Sequence, residues 1–164
     1  MGSGLSDRAA HVARAALDSS YTVAVAESLT SGAMASALGA APKASEWFRG
    51  AVVAYSTDVK HGLLGVPQGP VVSESAVSAM ARQTAHLLGA DVTLAVSGVG
   101  GPDPQDGQPV GTVWFAVHSQ GTTRTERRGF DGAPEAVVDQ TVDHGLHLLL
   151  QAISPTRRND EQTS

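Results

Sequence analysis

The stretch Thr22-Val-Ala-Val-Ala-Glu-Ser-Leu-Thr-Ser-Gly32 is the part of the sequence from which the fold is predicted. It begins as an apolar run rich in β-branched residues and ends in polar residues and a glycine, and the small-residue pattern Ala33-Met-Ala-Ser-Ala-Leu38 follows at once. This order predicts a buried strand, a tight polar turn and a helix that begins over the end of the strand. Because the junction presents backbone N–H groups and a positive helix end, the Ser28 hydroxyl is a candidate nucleophile.

Length and composition predict a single domain that neither binds nucleic acid nor contains disulfide bonds. The chain has 164 residues, of which 41% are hydrophobic, so residues 1–154 are expected to form a single domain, followed by a disordered polar tail at 155–164. A formal charge of −5 argues against binding nucleic acid, and the absence of cysteine excludes disulfides and Cys-ligated zinc. No membrane-length apolar run or signal peptide is visible, so we expect a cytoplasmic protein with no membrane partner.

The periodicity of apolar residues predicts helices alternating with strands. Helices are expected at about 6–19, 30–39, 58–64, 74–88 and 133–153, and strands at about 22–26, 50–55, 92–96, 112–118 and 122–129. The last two strands are joined by Ser119-Gln-Gly121, which favours an antiparallel hairpin. The fold class is therefore α/β: a three-layer α/β/α single domain with a mixed, mostly parallel sheet of about five strands.

Three loops follow strands of this sheet, at 27–32, 55–60 and 97–111, and ligands of α/β sheets bind where strands end. A serine hydroxyl in such a loop needs a base to take its proton. The six histidines lie poorly for this role, whereas Lys60, partly buried near a helix end, would lose proton affinity and act as the base. Tyr55 would hold the geometry of the pair. Taken singly, Ser28 also fits a helix cap, Lys60 a solvated lysine and Tyr55 a core aromatic residue.

The third loop, Ser97–Gly111, carries five glycines and three prolines. Such a loop allows backbone N–H groups to approach an anion closely, although it matches neither a P-loop nor G-x-G-x-x-G. A long surface loop is the alternative interpretation. His144 and His147, with Asp139 and Asp143, match no metal-binding pattern, so we expect no metal site.

Six sequence blocks, in order, resemble the C-terminal domain of competence/damage-inducible protein A (CinA), a family also found alone as the nicotinamide-nucleotide amidohydrolase. The resemblance spans about residues 5–152, nearly the whole chain, and the matching blocks are Ala26-Glu-Ser-Leu-Thr-Ser-Gly32, Phe48-Arg-Gly-Ala-Val-Val-Ala-Tyr-Ser56, Lys60-His-Gly-Leu-Leu-Gly-Val66, Val72-Ser-Glu-Ser75, Ser97-Gly-Val-Gly-Gly-Pro102 and Pro109-Val-Gly-Thr-Val-Trp114.

The resemblance implies an enzyme that deamidates nicotinamide mononucleotide to nicotinate mononucleotide and ammonia without a cofactor. It implies that Ser28 is the nucleophile and that Lys60 and Tyr55 assist it, while N–H groups near Leu29 to Ser31 stabilise the oxyanion. The expected substrate contacts are Glu27, Thr30, Ser31, Ser45, Ser97, Gly98, Gly100 and Gly101. The family commonly self-associates, so a homo-oligomer is expected, with a dimer favoured.

Two departures from the family pattern leave alternatives open. Gly132-Ala-Pro134 stands where the family usually has Gly-Asp-Arg, and Val138 replaces a second arginine. If either arginine normally contacts the substrate phosphate or a partner subunit, that contact is missing here. The alternatives are a non-catalytic nucleotide-binding or interaction module, and a Ser–Lys amidase that acts on another small amide.

Overall fold

Five strands form one mixed sheet in the computed structural model of the chain, which describes residues 3–154. The predicted disordered tail at 155–164 lies outside the described residues. Along the sheet the strand order is β2-β1-β3-β4-β5. The strands are β1 (Val23–Glu27), β2 (Phe48–Val53), β3 (Val92–Gly98), β4 (Thr112–Ser119) and β5 (Thr122–Gly129).

Six helices in the described part of the chain cover the two faces of this sheet. They are α1 (Ser3–Ser19), α2 (Ala33–Gly39), α3 (Ala44–Trp47), α4 (Thr57–Gly62), α5 (Glu74–Leu88) and α6 (Pro134–Ile153). Helices α1, α2 and α6 share one buried cluster with one face of the sheet, and α5 shares a second cluster with the other face. The predicted three-layer α/β/α architecture is therefore confirmed.

Strand direction separates the sheet into a parallel and an antiparallel part. β1 pairs in parallel with β2 and β3, whereas β4 is antiparallel to both β3 and β5. Four strands consequently run in one direction and only β4 opposes them. The sheet is mixed, as predicted. Most of its strands point the same way, but only two of its four strand pairs are parallel.

Small aliphatic residues fill both layers, as the low aromatic content requires. Trp47 and Phe115 are the largest fully buried side chains of the described residues, and the rest of the core is mainly alanine, valine and leucine. Full burial of one valine or leucine contributes roughly 1.5–3 kcal/mol. Many such contributions hold the helices on the sheet.

Several predicted boundaries differ from the structure for local reasons. α2 begins at Ala33, three residues later than expected, because Ser31 and Gly32 adopt positive φ angles of 51° and 101° in a tight turn. The short helix α3 was not among the predicted helices, and Ser45 lies inside it. Leu87, near the end of α5, is 44% exposed, so the buried face of this helix does not extend to it.

No helix within residues 3–154 combines the length and the apolar character that a membrane crossing requires.

Candidate active site

Two of the three predicted loops meet the turn after β1 at the carboxyl edge of the sheet. Ala54, which follows the last paired residue of β2, donates a hydrogen bond of 2.8 Å from its N–H to Glu27 O at the end of β1. Ser28 and Tyr55 are the next residues along the two strands, so their loops begin side by side. On the other side of β1, a Cβ atom on Gly100 would lie 3.8 Å from Leu29 Cβ. The loops at 27–32, 55–60 and 97–111 therefore border a common region, as strand polarity predicted.

Glu27 holds the turn in place and is not free to contact a substrate. Its carboxylate is fully buried and accepts hydrogen bonds from Met34 N at 2.9 Å and Ala35 N at 3.0 Å. α2 has no side-chain cap at Gly32, so Glu27 satisfies its first N–H groups from seven and eight residues away. This corrects two expectations: Glu27 is a structural residue, and the positive end of α2 is already neutralised.

The turn itself presents a buried serine and a buried, unpaired threonine. Ser28 is 4% exposed and Thr30 is 3% exposed. Ser31 N donates to Ser28 O at 3.1 Å, so this N–H is used within the turn, and Ser31 itself is exposed. Among residues 3–154 the Thr30 hydroxyl has no hydrogen-bond partner, and neither has the N–H of Leu29 or Thr30. Buried polar groups are rarely unpaired, so the turn after β1 is unusual in leaving several of its donors without a partner.

Lys60 is buried at the end of α4, as predicted for a base. It is only 3% exposed, and this burial lowers the pKa of Lys60 while the charge of Asp106 opposes the effect by raising it. Within the described residues no hydrogen bond joins Lys60 Nζ to Ser28 Oγ. Hydrogen bonds of catalytic groups are often long in a free enzyme and shorten when the substrate binds.

Tyr55 and Ser45 do not take the positions expected of them. Tyr55 lies at the correct edge, but its side chain is 70% exposed and makes no hydrogen bond to Ser28 or Lys60 within residues 3–154. Ser45 precedes Phe48, which pairs with Val23 at the amino end of β1. Ser45 therefore lies at the opposite edge of the sheet from Ser28, and one chain does not bring the two together.

Of the four residues of the third loop that were predicted to bind substrate, two are needed for the structure and two remain accessible. Ser97 is fully buried and donates from Oγ to Val71 O at 2.7 Å, so its hydroxyl is occupied. A Cβ atom on Gly98 would lie 2.7 Å from Thr112 O, which makes this glycine a requirement of the β3–β4 pairing. Gly100 is half-buried and Gly101 is exposed, and both remain accessible at the edge.

Asp106 is a residue that the sequence analysis did not single out. Its Oδ2 accepts hydrogen bonds from Val71 N at 3.0 Å and Val72 N at 3.2 Å, and its charge acts on Lys60. The Asp-Gly pair at 106–107 is a turn signal, which was visible in the sequence. The backbone groups that bind its carboxylate lie 34 and 35 residues away in the sequence, so no local pattern indicated them.

The positions of the missing arginines border the same loop. A Cβ atom on Gly101 would lie 3.8 Å from Pro134 Cγ, so the first turn of α6 adjoins the glycine-rich loop. Val138 lies one turn further and is half-buried. Further along α6, His144 pairs with Glu126 at 3.2 Å and packs edge-on against Phe115. No group of three or more His, Asp or Glu side chains in the described part of the chain is arranged to hold a metal.

Comparison with known proteins assigns the chain to a family. The family model of the CinA C-terminal domain matches residues 5–153. A nicotinamide-nucleotide amidohydrolase PncC from Pseudomonas putida is 45% identical over 79% of this chain and 84% of its own length. A putative competence-damage inducible protein from Levilactobacillus brevis is 35% identical over 91% of this chain, which spans only 37% of that relative.

A solved structure supports the same family assignment. The competence damage-inducible protein A from Klebsiella pneumoniae superposes with a TM-score of 0.89 and 35% identity, over 93% of this chain and 99% of the other. The fold and the carboxyl-edge site thus define an α/β domain of the CinA type. The chain belongs to the CinA C-terminal domain family.

Proposed function

We propose that this protein is an amidohydrolase that converts nicotinamide mononucleotide to nicotinate mononucleotide and ammonia. The observation that carries the proposal is a buried serine and a buried lysine with a lowered pKa in loops that border one edge of the sheet. A relative with the same domain is named for this activity. The substrate class is therefore a small nucleotide.

In the proposed reaction Ser28 Oγ attacks the carboxamide carbon, and neutral Lys60 accepts the hydroxyl proton. The C–N bond then breaks, Lys60 returns the proton to the leaving nitrogen, and ammonia departs. Water hydrolyses the resulting ester on Ser28, which releases the carboxylate product and restores the serine. Hydrolysis involves no net oxidation or reduction, and Ser28, Lys60 and water account for every bond that is formed or broken in this scheme.

The direction of the side chains supports this pair. Val25 faces the cluster beneath α1 and α6, Ala26 faces the cluster beneath α5, and Glu27 faces α2. Continued for one residue, the alternation of a strand directs Ser28 to the face that holds Lys60. The unpaired N–H groups of Leu29 and Thr30 are the proposed oxyanion donors. Thr30, Gly100 and Gly101 are the proposed substrate contacts.

The proposal is tested by measuring ammonia and nicotinate mononucleotide after incubation of the full chain with nicotinamide mononucleotide. Ser28→Ala is expected to lower kcat by at least about 10³-fold, since removal of a nucleophile has large effects. Ser36→Ala, at an exposed serine on α2, is the matched control and should retain activity. Turnover that survives Ser28→Ala would contradict the nucleophile assignment.

Two further functions remain distinguishable by experiment, and the absence of an arginine at Pro134 and Val138 favours testing them. A binding module would bind the nucleotide tightly by calorimetry without forming product. An amidase for another small amide would act on nicotinamide riboside or simple amides in a substrate panel and leave the phosphorylated compound unchanged.

We also propose that the protein forms a homo-oligomer, with a dimer favoured, and acts in the cytoplasm. Support for self-association comes from an exposed apolar surface on the edge strand β2 and on α4. This β2–α4 surface consists of Val53 on β2, Val59 on α4, and Tyr55 and Leu63, which follow these two elements; all four are 39–70% exposed. Edge strands that expose apolar residues are available for pairing with another chain.

A further inference from the structure

Asp106 fastens the glycine-rich loop to the segment 63–73, which connects α4 to α5. Its Oδ2 accepts hydrogen bonds from the backbone of Val71 and Val72, which are 2% and 3% exposed. From the other side, Ser97 Oγ donates to Val71 O at 2.7 Å. Both β3 and the loop after it therefore hold the same buried stretch of backbone.

The other end of segment 63–73 is attached to Lys60. Val66 N donates to Lys60 O at 3.1 Å, and the His61 ring makes a hydrogen bond of 2.8 Å between Nδ1 and Val66 O. Leu64 and Val66 are buried against α5. A continuous set of contacts thus runs from Asp106 through segment 63–73 to Lys60.

The Asp106 carboxylate also acts on Lys60 directly through its charge. Burial lowers the pKa of Lys60, and Asp106 is the charged residue within residues 3–154 that raises it. Other ionisable groups on the neighbouring elements are directed elsewhere. Glu27 binds α2, Glu74 at the start of α5 accepts from Thr125, and Asp58 on α4 itself is exposed. His61, also on α4, is engaged with Val66.

We propose that Asp106 is a positioning residue for Lys60, because one carboxylate anchors the glycine-rich loop to segment 63–73, whose other end is hydrogen-bonded to Lys60, and carries the negative charge that acts on the buried amine. The inference deepens the proposed function, on which it rests. Since the loop that is proposed to contact substrate carries this charge, displacement of the loop would also change the proton affinity of the base. Substrate contact and base strength are coupled in this way.

The chain offers a direct measurement, because Lys43 and Lys60 are its only lysines. In protein labelled with ¹³C-lysine, the two Cε signals are followed by NMR as a function of pH in the full chain, and the exposed Lys43 serves as the internal reference. Asp106→Asn keeps an oxygen that accepts from Val71 and Val72 but removes the charge. The Lys60 titration is expected to shift to lower pH while that of Lys43 stays unchanged.

Asp103→Asn is the matched control, since it removes an exposed charge from the same loop. It should leave the Lys60 titration in place, whereas Asp106→Ala should shift it and also weaken the loop attachment, seen as faster amide exchange at Val71 and Val72. A Lys60 titration that is identical in Asp106→Asn and the unsubstituted protein, or that shifts upward, would overturn the inference.

The kcat/KM–pH profile for nicotinamide mononucleotide provides the second readout. Its rising limb should shift to lower pH in Asp106→Asn, in parallel with the NMR titration. If the unsubstituted protein releases no ammonia but the NMR shift is seen, the proposed function fails and the positioning of Lys60 by Asp106 stands. If hydrolysis occurs without the NMR shift, the function stands and this inference fails.

Discussion

At the scale of single residues, the candidate site depends on a lysine that the fold removes from water. A buried ammonium loses its hydration, so the neutral amine is favoured and the pKa of Lys60 falls despite the opposing charge of Asp106. A neutral amine is able to accept a proton from a serine, which an ammonium cannot do. Burial therefore shifts Lys60 towards the neutral state that the proposed mechanism requires.

The first prediction concerns pH. The kcat/KM for nicotinamide mononucleotide should rise with pH, with a midpoint below the ~10.4 of a free lysine. A flat profile between neutral and alkaline pH would contradict a base role for Lys60.

The lowered pKa of Lys60 also affects stability. Between the pKa of Lys60 in the folded protein and its pKa in the unfolded chain, the unfolded chain binds more protons, so the free energy of unfolding rises with pH in this range.

A companion variant separates catalysis from folding. Lys60→Met keeps the apolar stem and removes the charge, so it should abolish hydrolysis and raise the thermal midpoint at neutral pH. Calorimetry at neutral pH checks the second effect. A lowered midpoint would show that the ammonium makes stabilising contacts, contrary to the expectation from its burial.

Glu27 is the subject of the second residue-scale prediction. Both of its oxygens accept N–H groups of α2, and Gln has only one acceptor oxygen and directs an NH₂ group at the other N–H. Glu27→Gln should therefore destabilise the fold by about 1–3 kcal/mol in chemical denaturation. Glu46→Gln, at an exposed position of α3, should leave the free energy of unfolding nearly unchanged.

At the scale of elements, the close approach of β3 and β4 controls where the glycine-rich loop begins. Gly98 pairs with Val113, and Val99 N and Gly111 N continue the connection beyond the ladder. A side chain at Gly98 has no room against Thr112 and Val113. The loop therefore leaves the sheet at a point determined by backbone packing and not by its own composition.

The element-scale prediction follows from that contact. Gly98→Ala should destabilise the protein by roughly 1–3 kcal/mol, because the new methyl would lie 2.7 Å from Thr112 O. Gly129→Ala is the matched control on β5, since nothing lies within 4 Å of the position that its new Cβ atom would take. Equal free energies of unfolding for the two variants would refute the steric explanation.

At the scale of the whole molecule, the exposed β2–α4 surface adjoins the candidate site through Tyr55. The predicted dimer is tested there with Leu63→Asp, which is expected to convert a dimer to a monomer in sedimentation velocity. Leu87→Asp is the control, because Leu87 is exposed to a similar degree on α5, at 44% against 47%. Sedimentation of the unsubstituted protein as a monomer at all concentrations would contradict self-association through any surface.

The sequence by itself determined the elements and the class of fold. α5 was predicted with its observed bounds, which the structure shows to be set by local signals: Ser73 caps its N-terminus and Gly89 ends it. The hairpin of β4 and β5 was also predicted, since a short connection allows only an antiparallel pair. Strand polarity was sufficient to predict that the loops carrying Ser28, Tyr55 and the glycines adjoin one edge.

Only the tertiary structure decided which polar groups are free. Glu27, Ser97 and Asp106 are all polar residues in candidate loops, and each is occupied by backbone groups between 7 and 35 residues away. The register of β1 with β2 likewise places Ser45 at the opposite edge from Ser28. Hydrogen-bond partners far apart in the chain leave no local pattern. Composition and spacing therefore indicate where a site lies, whereas folding determines which of its residues remain available for chemistry.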